Sequence, residues 1–167
     1  MPQRYYFYMT SFLISSDIYR NTHYGGKHPL NIPRVGATLD LIKAMSWYDE
    51  AKFITAPIAK PGLLKKFHSN DYVNVLIEAD EKQEIDKNQS NKYNLGTPSN
   101  PIFKGMYKRP ATSVGGSVVA AEFAFLHGRA FNLGGGLHHG LVNKANGFCY
   151  LNDCLLYTSD AADELSS

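Results

Sequence analysis

Stretches with strand-like and helix-like hydrophobic periods alternate along this chain. Tyr5 to Ser15, YYFYMTSFLIS, is a run of aromatic and β-branched positions that predicts a buried strand. Asp17 to Pro33 mixes glycines, prolines and histidines and predicts a loop, with Pro33 suited to the first turn of a following helix. In that helix Val35, Leu39 and Ile42 recur at helical spacing, ending near Met45. Phe53 to Ala56 predicts a short strand, and Pro61 opens a helical turn over Gly62 to Phe67. Ser69 is placed to cap a helix from Asn70 to Ala79, in which Tyr72, Val75, Leu76 and Ala79 share a face. Asp80 to Lys92 is almost wholly polar and predicts a surface insertion or rim loop, while Tyr93 to Pro101 holds turn residues. Ala111 to Phe125 returns to helix, with Val114, Val118, Ala121 and Phe125 on one side. Its Gly115-Gly116 pair costs about 1 kcal/mol per residue against alanine, so close packing of that helix on a sheet is expected. Arg129 to Leu133 predicts a short strand that delivers the chain into Gly134.

This alternation predicts an α/β fold, a parallel sheet with helices on both faces. In such sheets ligands bind at the carboxyl ends of the strands. The expected location of a site is therefore the segment that follows Leu133.

Composition narrows the function class. The chain has 167 residues, 44% of them hydrophobic, about one globular domain. A formal charge of +2 from 17 basic and 15 acidic residues gives no electrostatic footprint for nucleic acid. The basic residues, including the adjacent pairs Lys65-Lys66 and Lys108-Arg109, read as solvated surface. No apolar run reaches membrane-spanning length, and Met1 to Ser16 reads as a first strand rather than a signal peptide. Two cysteines, Cys149 and Cys154, make no disulfide framework and fit a reducing compartment, so a cytoplasmic protein is expected.

Candidate chemistry concentrates in Phe131 to Asp153, FNLGGGLHHGLVNKANGFCYLND. Three consecutive glycines give up conformational entropy, which a chain tolerates where its backbone turns sharply or lies close against another group. The adjacent imidazoles of His138 and His139 are suited to proton transfer near neutral pH. No lysine followed by Ser or Thr comes after the glycines, which disfavours a phosphate-binding loop. Cys149 is either a thiol nucleophile or a small buried residue, the second being the commoner case. Arg34, one residue inside a helix N-terminus, suits either the surface or an interior anion. His28 reads as a loop cap, His23, His68 and His127 as structural, and Asp153 as the cap of a following helix.

GGGLHHG followed by NGFCYLND closely resembles the catalytic segment of the histone deacetylase superfamily. HPLNIPR, FHSNDYVNVL and NLGTPSNPIFKGMY are most similar to its bacterial and archaeal acetoin-utilisation deacetylase branch. The resemblance runs from about Ser11 to Asp153. It implies the arginase/deacetylase fold, a three-layer α/β architecture with a mostly parallel sheet, here truncated after the first few strands. It also implies zinc-dependent hydrolysis of acetyl-lysine amides with release of acetate. His139 would be general base and then general acid, and His138 its buried, electrostatically stabilising partner. Gly147 would offer its carbonyl to the substrate amide, and Phe148 would wall the tunnel around the lysine stem. Cys149 would lie near the floor of the acetyl pocket, and Arg34 would line an internal acetate channel.

The departures from that pattern are equally definite. The zinc ligands of the family, an Asp and a His in a D-x-H motif and a later second Asp, are not in this sequence, nor is the later transition-state Tyr. No metal ligand is therefore expected here, and zinc is expected in the full-length parent. The rim position that is acidic in eukaryotic relatives aligns loosely with Gln89. Cys154 to Glu164, CLLYTSDAADE, reads as a translated sequencing adapter. Residues 1–153 are thus expected to be the N-terminal, incomplete part of a deacetylase domain, and residues 154–167 foreign to it. The expected partners are an acetylated protein lysine or a small acetylated amine, not nucleic acid or membrane. The alternatives are an acetylpolyamine amidohydrolase and a non-catalytic acyl-lysine binding module.

Overall fold

A computed structural model describes residues 10–22, 24, 25 and 28–155. The first half of the strand expected over Tyr5 to Ser15, and His23, lie outside these residues. The second half forms β1 (Thr10–Ser15), which buries Leu13 and Ile14. β1 is the middle strand of a three-stranded sheet, flanked by β2 (Phe53–Thr55) and β3 (Gly128–Asn132) in the order β2-β1-β3. Both pairings are parallel, with Ile14 opposite Ile54 on one side and Asn132 on the other. All three strands therefore end on the same side of the sheet. α1 (Ile18–Asn21) follows β1 and packs on α2 (Arg34–Ala44).

The longest helix, α6 (Lys108–His127), packs against β1 and β3. Phe12 of β1 meets Phe123 of α6 edge-on, with ring centroids 4.7 Å apart. Two glycines permit this packing. A Cβ on Gly115 would overlap the carbonyl oxygen of Pro57, just after β2, and one on Gly116 would lie 2.9 Å from the Asn132 amide at the end of β3. The close approach inferred from the Gly-Gly pair is thus made to both the strand ends that flank β1.

The main core lies beside the sheet, under α3 (Pro61–Leu64), α4 (Asn70–Lys82) and α5 (Lys87–Tyr93). α4 buries Tyr72, Val73, Leu76 and Ala79, a stripe turned slightly from the expected one because Val73 replaces Val75 as the inner residue. Ser69 occupies its N-cap without a side-chain bond. The polar stretch after α4 is not simply a loop. Asp86 accepts hydrogen bonds from the Asn88 and Gln89 amides and starts α5, whose buried residue is Tyr93. The buried tyrosine hydroxyls are satisfied: Tyr72 donates to the Tyr150 carbonyl and Tyr150 to the Pro101 carbonyl, both at 2.6 Å. Among the described residues no helix is long and apolar enough to cross a membrane.

Candidate active site

The glycine loop begins where β3 ends, at the carboxyl side of the sheet. Leu133 N–H still bonds to the Ile14 carbonyl at 3.0 Å, and beyond it the backbone turns under α1. A Cβ on Gly134 would overlap the ring and hydroxyl of Tyr19, which α1 buries against the loop. Gly136 has φ +96°, a conformation that favours glycine. The Asn132 side chain braces the turn: its carbonyl accepts from Gly134 N–H at 3.1 Å, and its amide donates to the Ser113 carbonyl and to Ser117 Oγ, each at 3.0 Å.

His138 and His139 follow with ring centroids 4.0 Å apart. Both are exposed. His138 Nδ1 lies 3.0 Å from the Gly136 carbonyl oxygen, which orients its ring on its own loop. The His139 ring lies against Gly147, where a Cβ would come within 2.8 Å of His139 Cγ. Gly147 and Phe148 have φ of +54° and +68° and form the two-residue loop of a tight hairpin closed by Asn146 and Cys149. Positive φ at both central positions is the signature of a type I′ turn, and for Phe148 it is a strained backbone. The turn projects the Phe148 ring onto His28, edge-on at 4.8 Å, and His28 stacks on Tyr24 at 4.7 Å. His28 does cap the Pro29–Asn31 turn, accepting from Leu30 N–H, and it also bonds the Ser99 carbonyl through Nε2.

Cys149 is buried and its thiol is pushed up by that burial, which counts against a thiolate nucleophile. Arg34 is exposed and lines a cavity of about 200 Å³ behind the glycine loop, shared with Tyr19, Tyr24, Ser113 and Gly134. A second arginine lines the same cavity. Arg109 does not lie free at the surface: its Nη1 donates to the Tyr19 carbonyl at 3.1 Å and to both Thr22 oxygens, and its guanidinium lies over the Tyr19 and Tyr24 rings. Tyr19 is pushed up to about 12, first by burial, with Ser113 and Arg109 opposing. Neither residue carries a motif in the sequence. Only the folding of α1 onto α6 brings them to the cavity. Gln89 lies apart, facing a groove with Glu78, Glu84 and Asp86.

The far end of the segment returns to the loop. Gly140 lies so close to Leu151 that a Cβ would reach its carbonyl carbon at 2.7 Å. Asn152, not Asp153, takes the capping role, its Oδ1 accepting from Leu155 N–H at 2.9 Å. The Asp153 carboxylate instead accepts from Gly136 N–H, Leu137 N–H and Ser117 Oγ. His68, read as structural, is buried and joins the two ends: Nε2 accepts from Asn152 N–H, and Nδ1 meets the Leu141 carbonyl at 3.0 Å. The ring must be neutral for this, and burial lowers its pKa from the ordinary 6.5. The unfolded chain then takes up a proton that the native state refuses, so stability is expected to fall as pH drops below 6.5 toward the lowered native value. Urea midpoints at pH 7.5 and 5.5 check this: the pH effect should shrink in His68→Asn, and equal shifts in both proteins would reject it.

Among the described residues no three His, Cys, Asp or Glu side chains are grouped to hold a metal ion. The described residues therefore do not by themselves fit a zinc site.

Comparison with known proteins places this arrangement. The sequence model of the histone deacetylase domain matches residues 28–166, a span that includes the stretch after Asp153. The acetoin utilization protein AcuC of Bacillus subtilis is 35% identical over 147 residues, covering 86% of this chain and 37% of that protein. Histone deacetylase HDAC1 of Drosophila melanogaster is 37% identical over 142 residues, covering 81% of this chain and 26% of its own length. The crystal structure of an HDAC homolog from Aquifex aeolicus superposes with a TM-score of 0.88 at 36% identity, covering 93% of this chain and 42% of that one. The expected α/β deacetylase fold is thus the fold observed. The chain spans less than half the length of each of these relatives.

Proposed function

The chain belongs to the histone deacetylase family, and on that premise we propose that it is the N-terminal part of a deacetylase hydrolysing acetyl-lysine amides. The observation that carries the reading is the contact between the His139 ring and Gly147. It sets a proton-transfer group against the turn that would grip the substrate.

His139 acts as general base on the attacking water and as general acid to the departing amine, with His138 as its partner. The Gly147 carbonyl accepts from the substrate amide, and Phe148 walls the lysine stem, its ring held by His28. Cys149 lies at the floor of the acetyl pocket. Arg34 and Arg109 supply positive charge to the cavity behind the loop, which suits a departing acetate. We propose that the enzyme is zinc-dependent and cytoplasmic, that its metal ligands lie outside this chain, and that this chain alone does not turn over substrate. Zinc held by those outside ligands would supply Lewis-acid chemistry.

The test is acetate release by the full-length protein from an acetyl-lysine peptide and from an acetylpolyamine. Faster turnover of the peptide is expected. A marked preference for the polyamine would replace protein lysine by small amines as substrate. Binding of the peptide without turnover would make the protein a non-catalytic acyl-lysine module.

A further inference from the structure

We propose that Asn152 and Asp153 are positioning residues that fix the histidine loop from both polarities of its backbone, an inference that rests on the proton-transfer reading of His138 and His139. A glycine-bent loop with converging N–H groups ordinarily makes a cradle for a bound anion. Here the chain supplies its own. Gly136 N–H and Leu137 N–H donate to the two oxygens of Asp153 at 3.0 and 2.6 Å, and Ser117 Oγ donates to Oδ2 at 2.6 Å. The neighbouring Gly134 and Gly135 amides are taken by Asn132, at 3.1 Å through its side chain and 3.3 Å through its carbonyl. The loop's donors are consumed internally, by Asp153 and Asn132.

The opposite polarity is met one residue earlier. Asn152 Nδ2 donates to the carbonyls of His138 at 3.2 Å and Gly140 at 2.9 Å. The two side chains bracket the histidine pair, one gripping the amides before it and the other the carbonyls at and after it. Both side chains are 2% exposed, so each has lost its own hydration and depends on these bonds to satisfy its polar atoms. The arrangement also explains the middle glycine. A Cβ at position 135 would approach Asp153 Oδ2 at 3.0 Å and Ser117 Oγ at 3.1 Å, displacing the carboxylate from the loop.

A carboxylate is required at Asp153 because both oxygens accept from the backbone. In Asp153→Asn either amide orientation sets an NH₂ against a backbone N–H. The experiment is carried out on the full-length protein, ¹⁵N-labelled, with Asp153→Asn and, as a milder variant, Ser117→Ala, which keeps both backbone bonds. Hydrogen exchange at the Gly136 and Leu137 amides is expected to quicken by about 10–100-fold in Asp153→Asn, with α4 amides such as Tyr72 unchanged. Ser117→Ala is expected to affect Gly136 more than Leu137. In the same Asp153→Asn protein kcat should fall by about 10²-fold, as for a catalytic group displaced by about an ångström, with KM little changed. Unchanged exchange at Gly136 and Leu137 would overturn the proposal, as would a loss of protection spread equally over α4. A wild-type protein that releases no acetate would refute the deacetylase reading instead, and the amide exchange would still decide this one.

Discussion

Replacing His139 by alanine in the full-length protein is expected to lower kcat for acetyl-lysine hydrolysis by about 10²–10⁴-fold, the range that a positioned general acid–base contributes. KM should move little, because the proposed substrate grip is the Gly147 carbonyl and the Phe148 ring rather than the imidazole. The fold should also tolerate the change. His139 is exposed, and its ring rests on a glycine rather than filling a core site. Exposed substitutions of this kind usually stay within about 0.5 kcal/mol. Steady-state kinetics alongside a urea denaturation curve separate the two effects. A variant that keeps wild-type kcat would remove His139 from the mechanism.

The second large effect is on stability, and it comes from Gly115→Ala. The new methyl would overlap the Pro57 carbonyl oxygen and lie 3.1 Å from the Ala59 nitrogen. Neither atom can yield easily, because Ala59 N–H is itself bonded to the Ala111 carbonyl of α6 at 3.0 Å. Moving the helix away would also release Gly116 from the Asn132 amide that braces the histidine loop. The gain in helix propensity, about 1 kcal/mol, is smaller than an overpacking penalty of about 3 kcal/mol, and a net loss of about 2 kcal/mol is expected. Gly62→Ala is the control, since nothing lies within 4 Å of its added methyl. Denaturant midpoints of the two variants check the pair. A Gly115→Ala protein as stable as Gly62→Ala would mean that α6 does not approach the Pro57 backbone.

These two residues mark how far the sequence could be read. Gly115 and Gly116 sit where a helix has no use for glycine, so their cost alone pointed to a close approach. The sequence did not say that the contacts lie beyond β2 and at the end of β3, because strand order depends on crossovers that no local pattern encodes. The bend of the glycine loop was legible for the same kind of reason: consecutive glycines are costly wherever the backbone is neither turned nor crowded. α5 was not legible. Its residues before Tyr93 are all polar, and it is held by the Asp86 cap and the single buried Tyr93, neither of which produces a hydrophobic period. Arg109 and Asp153 were misjudged for a different reason. Each was read from its neighbours in the chain, as a surface pair and as a helix cap. Their partners, Tyr19 and Thr22 for the arginine and Gly136 and Leu137 for the aspartate, lie 90, 87, 17 and 16 residues away.

The central claim is that the segment Phe131 to Asp153 moves protons for amide hydrolysis. Acetate released from an acetyl-lysine peptide, measured for the full-length protein and its His139→Ala variant under the same conditions, tests it most directly. Multiple turnovers by the wild type and a rate near background for the variant are predicted. No release by the wild type, or equal release by both, would contradict it.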